Sequence, residues 1–227
     1  MSGAVLGLGF GRVVAQPPSA AVVAESTTVD GLAAVLGGAD PLEPTRTILQ
    51  SDVELRARIS LLGLGNERAL FGELPRSLLR ATLDELIGEH LIAIEAERVK
   101  ITPPSPVDVQ RELIEVEREA GGQHWLARLT SWLGATDSEL TQLAERRALI
   151  GAFLRANLEG VSVVTDAEVD ARLRDDWASY IAESPESARV TVRAILAKDA
   201  LRRTIEHWVR VLRARTRVRV FAAYEAS

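Results

Sequence analysis

Helix starts recur along this chain at spacings that leave little room for any other architecture. Ser51-Asp52-Val53-Glu54, Thr136-Asp137-Ser138-Glu139 and Thr165-Asp166-Ala167-Glu168 each read as a capping box. In such a box the hydroxyl accepts the backbone N–H three residues on, and the acidic side chain reaches back to the first residue's own N–H. The first box opens a short helix to about Leu62, ended by Gly63 and Gly65. Pro75 suits a first helical position, and Leu78, Leu79, Leu83, Leu86, Ile87, Leu91, Ile92 and Ile94 continue at helical spacing to near Lys100. Ser105-Pro106-Val107-Asp108 opens a third helix, stopped by Gly121-Gly122, and a short fourth is closed by Gly134. The Thr136 box starts a helix to Gly160, and the Thr165 box starts one to about Ala182. Ser184-Pro185 starts the last, whose stripe is Leu201, Ile205, Trp208, Val209 and Leu212.

Strand signals sit at the two ends of this helical body. Val29 to Leu36 and Thr47-Ile48-Leu49 precede the first box, separated by a loop through Gly37-Gly38 and Pro41 to Pro44. Arg217-Val218-Arg219-Val220-Phe221 alternates charged and apolar residues, the period of a strand with one buried face. A lone two-stranded ribbon is marginal. Pairing the carboxy-terminal strand with the early one, under a cover of helices, closes residues 29–227 into a single domain. The expected fold is mainly α, a multi-helix domain with a small sheet joining the amino- and carboxy-terminal strands, closed by residues 184–222.

Composition narrows the chemistry. Aromatic residues make up 4% of the 227 residues, so the core is aliphatic. The absence of cysteine excludes disulfides, thiolate zinc sites, iron–sulfur clusters and a Cys nucleophile. Lys100 and Lys198 are the only lysines and neither follows a glycine, so the phosphate-cradling Gly-Lys-Ser/Thr loop is missing. No G-x-S-x-G elbow occurs. The three histidines, His90, His124 and His207, fall on three different helices with no partner at ligand spacing, and read as surface or partly buried helix residues. Glu115, Glu117 and Glu119, or Asp175 and Asp176, are too close in sequence to share a helix face, and read as solvated charge. No metal, cofactor or catalytic residue is expected.

Residues 1–28 stand apart. Ala4 to Ala15 is apolar and Gly-rich, and Val13-x-Ala15 or Val22-x-Ala24 fits a small-residue cleavage site. The basic start of a secretory signal is missing and Arg12 interrupts the apolar run. The segment reads as an export signal, worn or shortened by a start codon assigned too late, with a disordered tail of a cytoplasmic protein as the alternative. Gly7, Gly9 and Gly11 lack the spacing and the following helix of a dinucleotide fingerprint. No charge-free apolar run of about 18 residues follows, so no transmembrane helix is expected.

The order of these blocks carries a resemblance. Val29-Asp30-Gly31-Leu32-Ala33-Ala34-Val35 leads to Ile48-Leu49-Gln50-Ser51-Asp52-Val53-Glu54. A helix with Leu83-Asp84-Glu85-Leu86-Ile87 follows, then Pro103 to Val107, then Val164-Thr165-Asp166-Ala167-Glu168-Val169. Over residues 29–175 this resembles the amino-terminal chaperone module of the SurA-type periplasmic foldases, which is related to the chaperone part of trigger factor. Two features depart from the family pattern. Residues 39–47 read as an insertion, and the Thr165 helix runs nearly straight into Ser184-Pro185, leaving no room for a parvulin isomerase domain. The resemblance therefore implies an ATP-independent periplasmic chaperone for unfolded exported or outer-membrane proteins, with prolyl isomerase activity only as a family label.

Trp125, Leu129 and Trp132, spaced by 4 and 7, share one helical stripe. They read either as core or as part of a groove for unfolded or extended polypeptide clients. Met1 is the only methionine, so a Met-rich promiscuous surface is excluded, and a client groove must use Leu, Val, Trp and backbone groups, for instance a strand edge lent to an extended peptide. Between Arg189 and Arg219 nine Arg and Lys198 face only Asp199 and Glu206, a local charge of +8 in a chain of net −5. This reads as a solvated basic face or as attraction to acidic partners. No recognition motif accompanies it, so nucleic-acid binding is not expected. A scaffold dedicated to a single partner is the main alternative function.

Overall fold

The computed structural model describes residues 30–37, 45–66, 70–158, 164–176, 184–221 and 224. The signal or tail at 1–28, most of the loop at 38–44 and the expected helix end at Gly160 lie outside the described residues, whereas the helix opened at Thr165 closes at Asp175, capped at Asp176, and does not run on to Ala182. Among those described, the chain is mainly helical. It runs β1 (Leu32–Leu36), β2 (Arg46–Leu49), α1 (Gln50–Gly63), α2 (Arg76–Arg98), α3 (Pro106–Glu119), α4 (Gln123–Leu133), α5 (Asp137–Leu158), α6 (Asp166–Asp175), α7 (Pro185–Arg215) and β3 (Val218–Val220).

The three strands form one antiparallel sheet in the order β2-β1-β3. Val35 lies opposite Thr47 on one side and Arg219 on the other. The carboxy-terminal strand thus pairs with the early one, as its alternation requires. The pairing extends past β3, because the Phe221 N–H donates to the Ala33 carbonyl at 3.0 Å. A register shift between Leu32 and Ala34 interrupts the β1–β2 ladder.

Most helix starts follow the local code. Ser105, Thr136 and Thr165 each accept from the N–H three residues on, and Asp108, Glu139 and Glu168 reach back. Ser184 accepts from the Ser187 N–H at 3.2 Å. Gly134 closes α4 in the left-handed region, with φ 70°. The Ser51 box is different. Helix α1 begins one residue earlier, directly after β2, and Asp52 rather than Glu54 reaches back, accepting from the Leu49 N–H at 2.9 Å. The Gln50 N–H donates to the Gly31 carbonyl and the Ser51 N–H to Asp30. Residues just ahead of β1 therefore satisfy the first turn of α1, and Ser51 Oγ turns to Asp30 instead of capping.

Two main cores result. One lies beneath the sheet and is built from Ala33, Ala34, Leu36 and Ile48 with the apolar faces of α2, α5 and α7. Phe153 is fully buried there, its ring 5.1 Å from that of Trp208. Of the stripe expected on α7, Ile205, Trp208, Val209 and Leu212 join this core, whereas Leu201 is exposed. The second core gathers Leu55, Ile59 and Leu62 of α1 with Val116, Leu126, Leu129 and Leu143. Gly63 lets α1 meet the end of α3, since a Cβ there would fall 2.2 Å from the Glu119 carbonyl oxygen. Helix α6 packs on the first half of α7 through Val169, Leu173, Ala188 and Val192.

Candidate functional site

The strand β2, helix α2 and helix α5 meet around a groove of about 820 Å³. Thr45, Arg46, Thr47 and Leu49 form one wall, and Ile101, Pro103, Pro104 and Val109 form an apolar one. The two prolines remove backbone donors from that wall. His90 and Ala93 of α2 and Arg146 and Leu149 of α5 also line the groove. A second cavity of about 420 Å³ lies on the far side of Arg146, between Asp30, Ser51, Arg56, Leu133 and Gln142. Asp52, Glu139, Gln142 and Arg146 border both.

Several polar groups in and beside the groove are buried and under-paired. His90 is 5% exposed, and neither ring nitrogen has a hydrogen-bond partner. Arg146 Nε lies 4.0 Å from Glu89 Oε2, and neither of these buried atoms makes a hydrogen bond. Arg46 pairs with Glu97, yet its Nε is also buried without a partner. Burial pushes the His90 imidazole down to about 3, reinforced by the Arg146 and Arg46 guanidiniums, so the ring is neutral at ordinary pH. Burial raises the Glu89 carboxyl against the pull of Arg56 and Arg146. It raises Asp52 against its hydrogen bond from Leu49. It lowers Arg146 despite Glu89 and Asp52. At Glu89, Asp52 and Arg146 desolvation outweighs the opposing partners, whereas at His90 burial and the neighbouring guanidiniums act in the same direction.

The stripe of Trp125, Leu129 and Trp132 is divided by the fold. Leu129 is fully buried in the second core, and Trp125 is half-buried against it. Trp132 is 44% exposed and meets the exposed Phe71 edge-on, with ring centroids 5.9 Å apart. The Arg58 guanidinium lies 4.5 Å from the Trp132 ring centre while donating to Glu54 and to the Gly72 carbonyl. Arg128 lies over both Phe71 and Trp125. This aromatic and arginine patch is built from α1, α4 and the segment before α2, and its residues do not line the β2 groove.

Several charges read as solvated are engaged within the molecule. Glu119 accepts from Arg56 at 3.0 Å and from Arg147 at 2.9 Å. On α7, Arg189 pairs with Asp166 and Asp170, Arg193 with Asp166, Arg202 with Asp199 and Glu206, and Arg213 with Asp84. Four of the nine arginines of the basic segment thus form ion pairs, and three of these reach acids on other elements. Among the described residues, no group of three or more His, Asp or Glu is placed to hold a metal ion, and no helix is long and apolar enough to cross a membrane.

His90 is the part of the groove that the sequence signals. It follows Leu83 by seven, Leu86 by four and Ile87 by three, so it is a polar residue on the apolar stripe of α2. Arg46 and Arg146 reach it from separate elements, and no local spacing connects them. Compared with known proteins, the chain matches no family model and no curated protein.

Proposed function

We propose that the protein is an ATP-independent chaperone of the SurA type, acting in the periplasm, that holds extended segments of unfolded exported proteins without a covalent step. The observation that carries the reading is the groove beside β2. An edge strand offers backbone N–H and C=O groups to an added strand. Here the edge strand lines a groove large enough for the side chains of an extended segment, with an apolar wall at Ile101, Pro103, Pro104 and Val109. Backbone pairing is indifferent to sequence, and an apolar wall favours the segments that aggregate. Together they suit a holdase with many clients.

The test is light scattering of an unfolded outer-membrane protein diluted from denaturant. Suppression at near-stoichiometric ratios is expected, with no acceleration of proline isomerisation in a short peptide. Unchanged scattering at tenfold excess would contradict the reading. The Phe71–Trp132 patch favours a second reading, a scaffold for one partner, because Trp and Arg are enriched where interface energy concentrates. That reading gains if general clients are ignored and one stoichiometric partner is lost with Trp132→Ala.

A further inference from the structure

The charges that line this groove do not balance. Four carboxylates, Asp52, Glu97, Glu139 and Glu145, are set against two guanidiniums, Arg46 and Arg146, and the buried His90 ring is neutral. Both guanidiniums are already engaged. Arg46 pairs with Glu97, and Arg146 is held by Glu89, outside the groove, and by Asp52. Glu139 and Glu145 of α5 remain, and both are exposed. Glu139 accepts from the Thr136 N–H and hydroxyl through Oε2, and its Oε1 accepts nothing from the described residues. Glu145 makes no hydrogen bond or ion pair among the described residues. The cations nearest in sequence to the apolar wall do not offset these acids. Lys100 does not line the groove, and Arg98 and Arg111 pair with Glu95 and Asp108. A basic side chain entering here meets two exposed carboxylates, whereas an acidic one meets the same two and must displace Glu97 from Arg46 to gain a partner.

We propose that the groove along β2 selects extended segments that mix apolar and basic residues, with Glu139 and Glu145 taking the Lys or Arg side chains while the apolar ones rest on Ile101, Pro103, Pro104 and Val109. Successive side chains of an extended segment point opposite ways, so one segment can present apolar residues to the wall and basic ones to the acids of α5. The edge of β2 supplies backbone pairing that is indifferent to sequence, and the charge of the groove supplies the preference. Each exposed ion pair contributes little by itself, so the preference is graded and weakens with salt. The inference rests on the peptide-binding reading above and names the class of segment that this groove favours.

Three valine-rich octapeptides, acetylated and amidated, test the preference. They differ at two central positions, which are Lys in one, Gln in another and Glu in the third. Calorimetric titration of the full chain at low ionic strength should show the Lys form binding roughly fivefold more tightly than the Gln form, with the Glu form weakest. Added salt should shrink the gap. The Lys preference should collapse in E139Q/E145Q, checked for fold by circular dichroism. Gln at 139 keeps an oxygen for the Thr136 N–H, so the cap of α5 survives the loss of charge. The control E117Q/E186Q removes the same charge from α3 and α7, outside the groove, and should keep the preference. Equal binding of all three peptides, a preference that survives E139Q/E145Q, or one that falls equally in E117Q/E186Q overturns the inference. Binding of the Gln peptide without any preference for Lys removes the inference and leaves the peptide-binding reading standing, whereas no binding by any peptide removes both.

Discussion

His90 is the residue at which the cost of burying a polar group is plainest. A buried imidazole with both nitrogens unpartnered costs the fold about 1–3 kcal/mol of desolvation. An aliphatic chain of similar size has no such cost, so H90L should unfold at higher denaturant than the wild type at pH 7. A destabilised H90L would mean that the ring has a partner. The acid limb supplies a second check. The folded ring stays neutral down to about 3, while the unfolded ring titrates near 6.5. Between those values the unfolded chain binds more protons, so this residue makes stability fall as pH falls below 6.5. Asp52 and Glu89, both raised, act in the opposite sense at the acid end, because the folded state holds their protons more tightly. The gap between H90L and wild type should therefore widen by on the order of 2 kcal/mol between pH 6.5 and 5, read from urea melts at each pH. A constant gap would contradict the burial of a neutral ring. At this scale the sequence is half informative. His90 breaks an apolar stripe and can be noticed, but its neighbours Arg46 and Arg146 come from a strand and a helix far along the chain, and only folding brings them together.

Helix ends show where a local code suffices and where it does not. At Thr136 the hydroxyl and Glu139 bind each other's backbone N–H groups within a single turn, so four residues determine the cap. Ser51 offers the same letters, yet the first turn of α1 is satisfied by Asp30 and Gly31, and the helix follows β2 without a loop. The sheet takes over the role that the local motif offers. T136A should therefore cost about 1 kcal/mol, whereas S51A, which loses only an exposed bond to Asp30, should stay within about 0.5 kcal/mol of wild type. Equal losses in thermal melts would restore Ser51 as the cap. The aromatic stripe of α4 has the same character. Its spacing correctly places Trp125, Leu129 and Trp132 on one side, but that side crosses from core to surface within two turns, and spacing alone does not mark where the core ends.

For the whole molecule, the sheet joins the two ends of the described chain, and the helices between them form one aliphatic core under it and another beside it. The architecture was legible because its signals are periodic: capping residues, apolar stripes and an alternating carboxy-terminal strand. The groove was not, because it is a space left between β2, α2 and α5 and no segment encodes it alone. The same holds for part of the charge of α7, where Arg189, Arg193 and Arg213 meet Asp166, Asp170 and Asp84 from other elements, pairings that no local spacing announces. The central claim is that extended polypeptide is held along β2. Amide hydrogen exchange, with and without a saturating unfolded outer-membrane client, tests it most directly. The account predicts slowed exchange across Arg46–Leu49, with α4 unchanged. Unchanged exchange at β2, with slowing confined to Gln123–Leu133 around Trp132, would contradict it and move the binding surface to the aromatic patch.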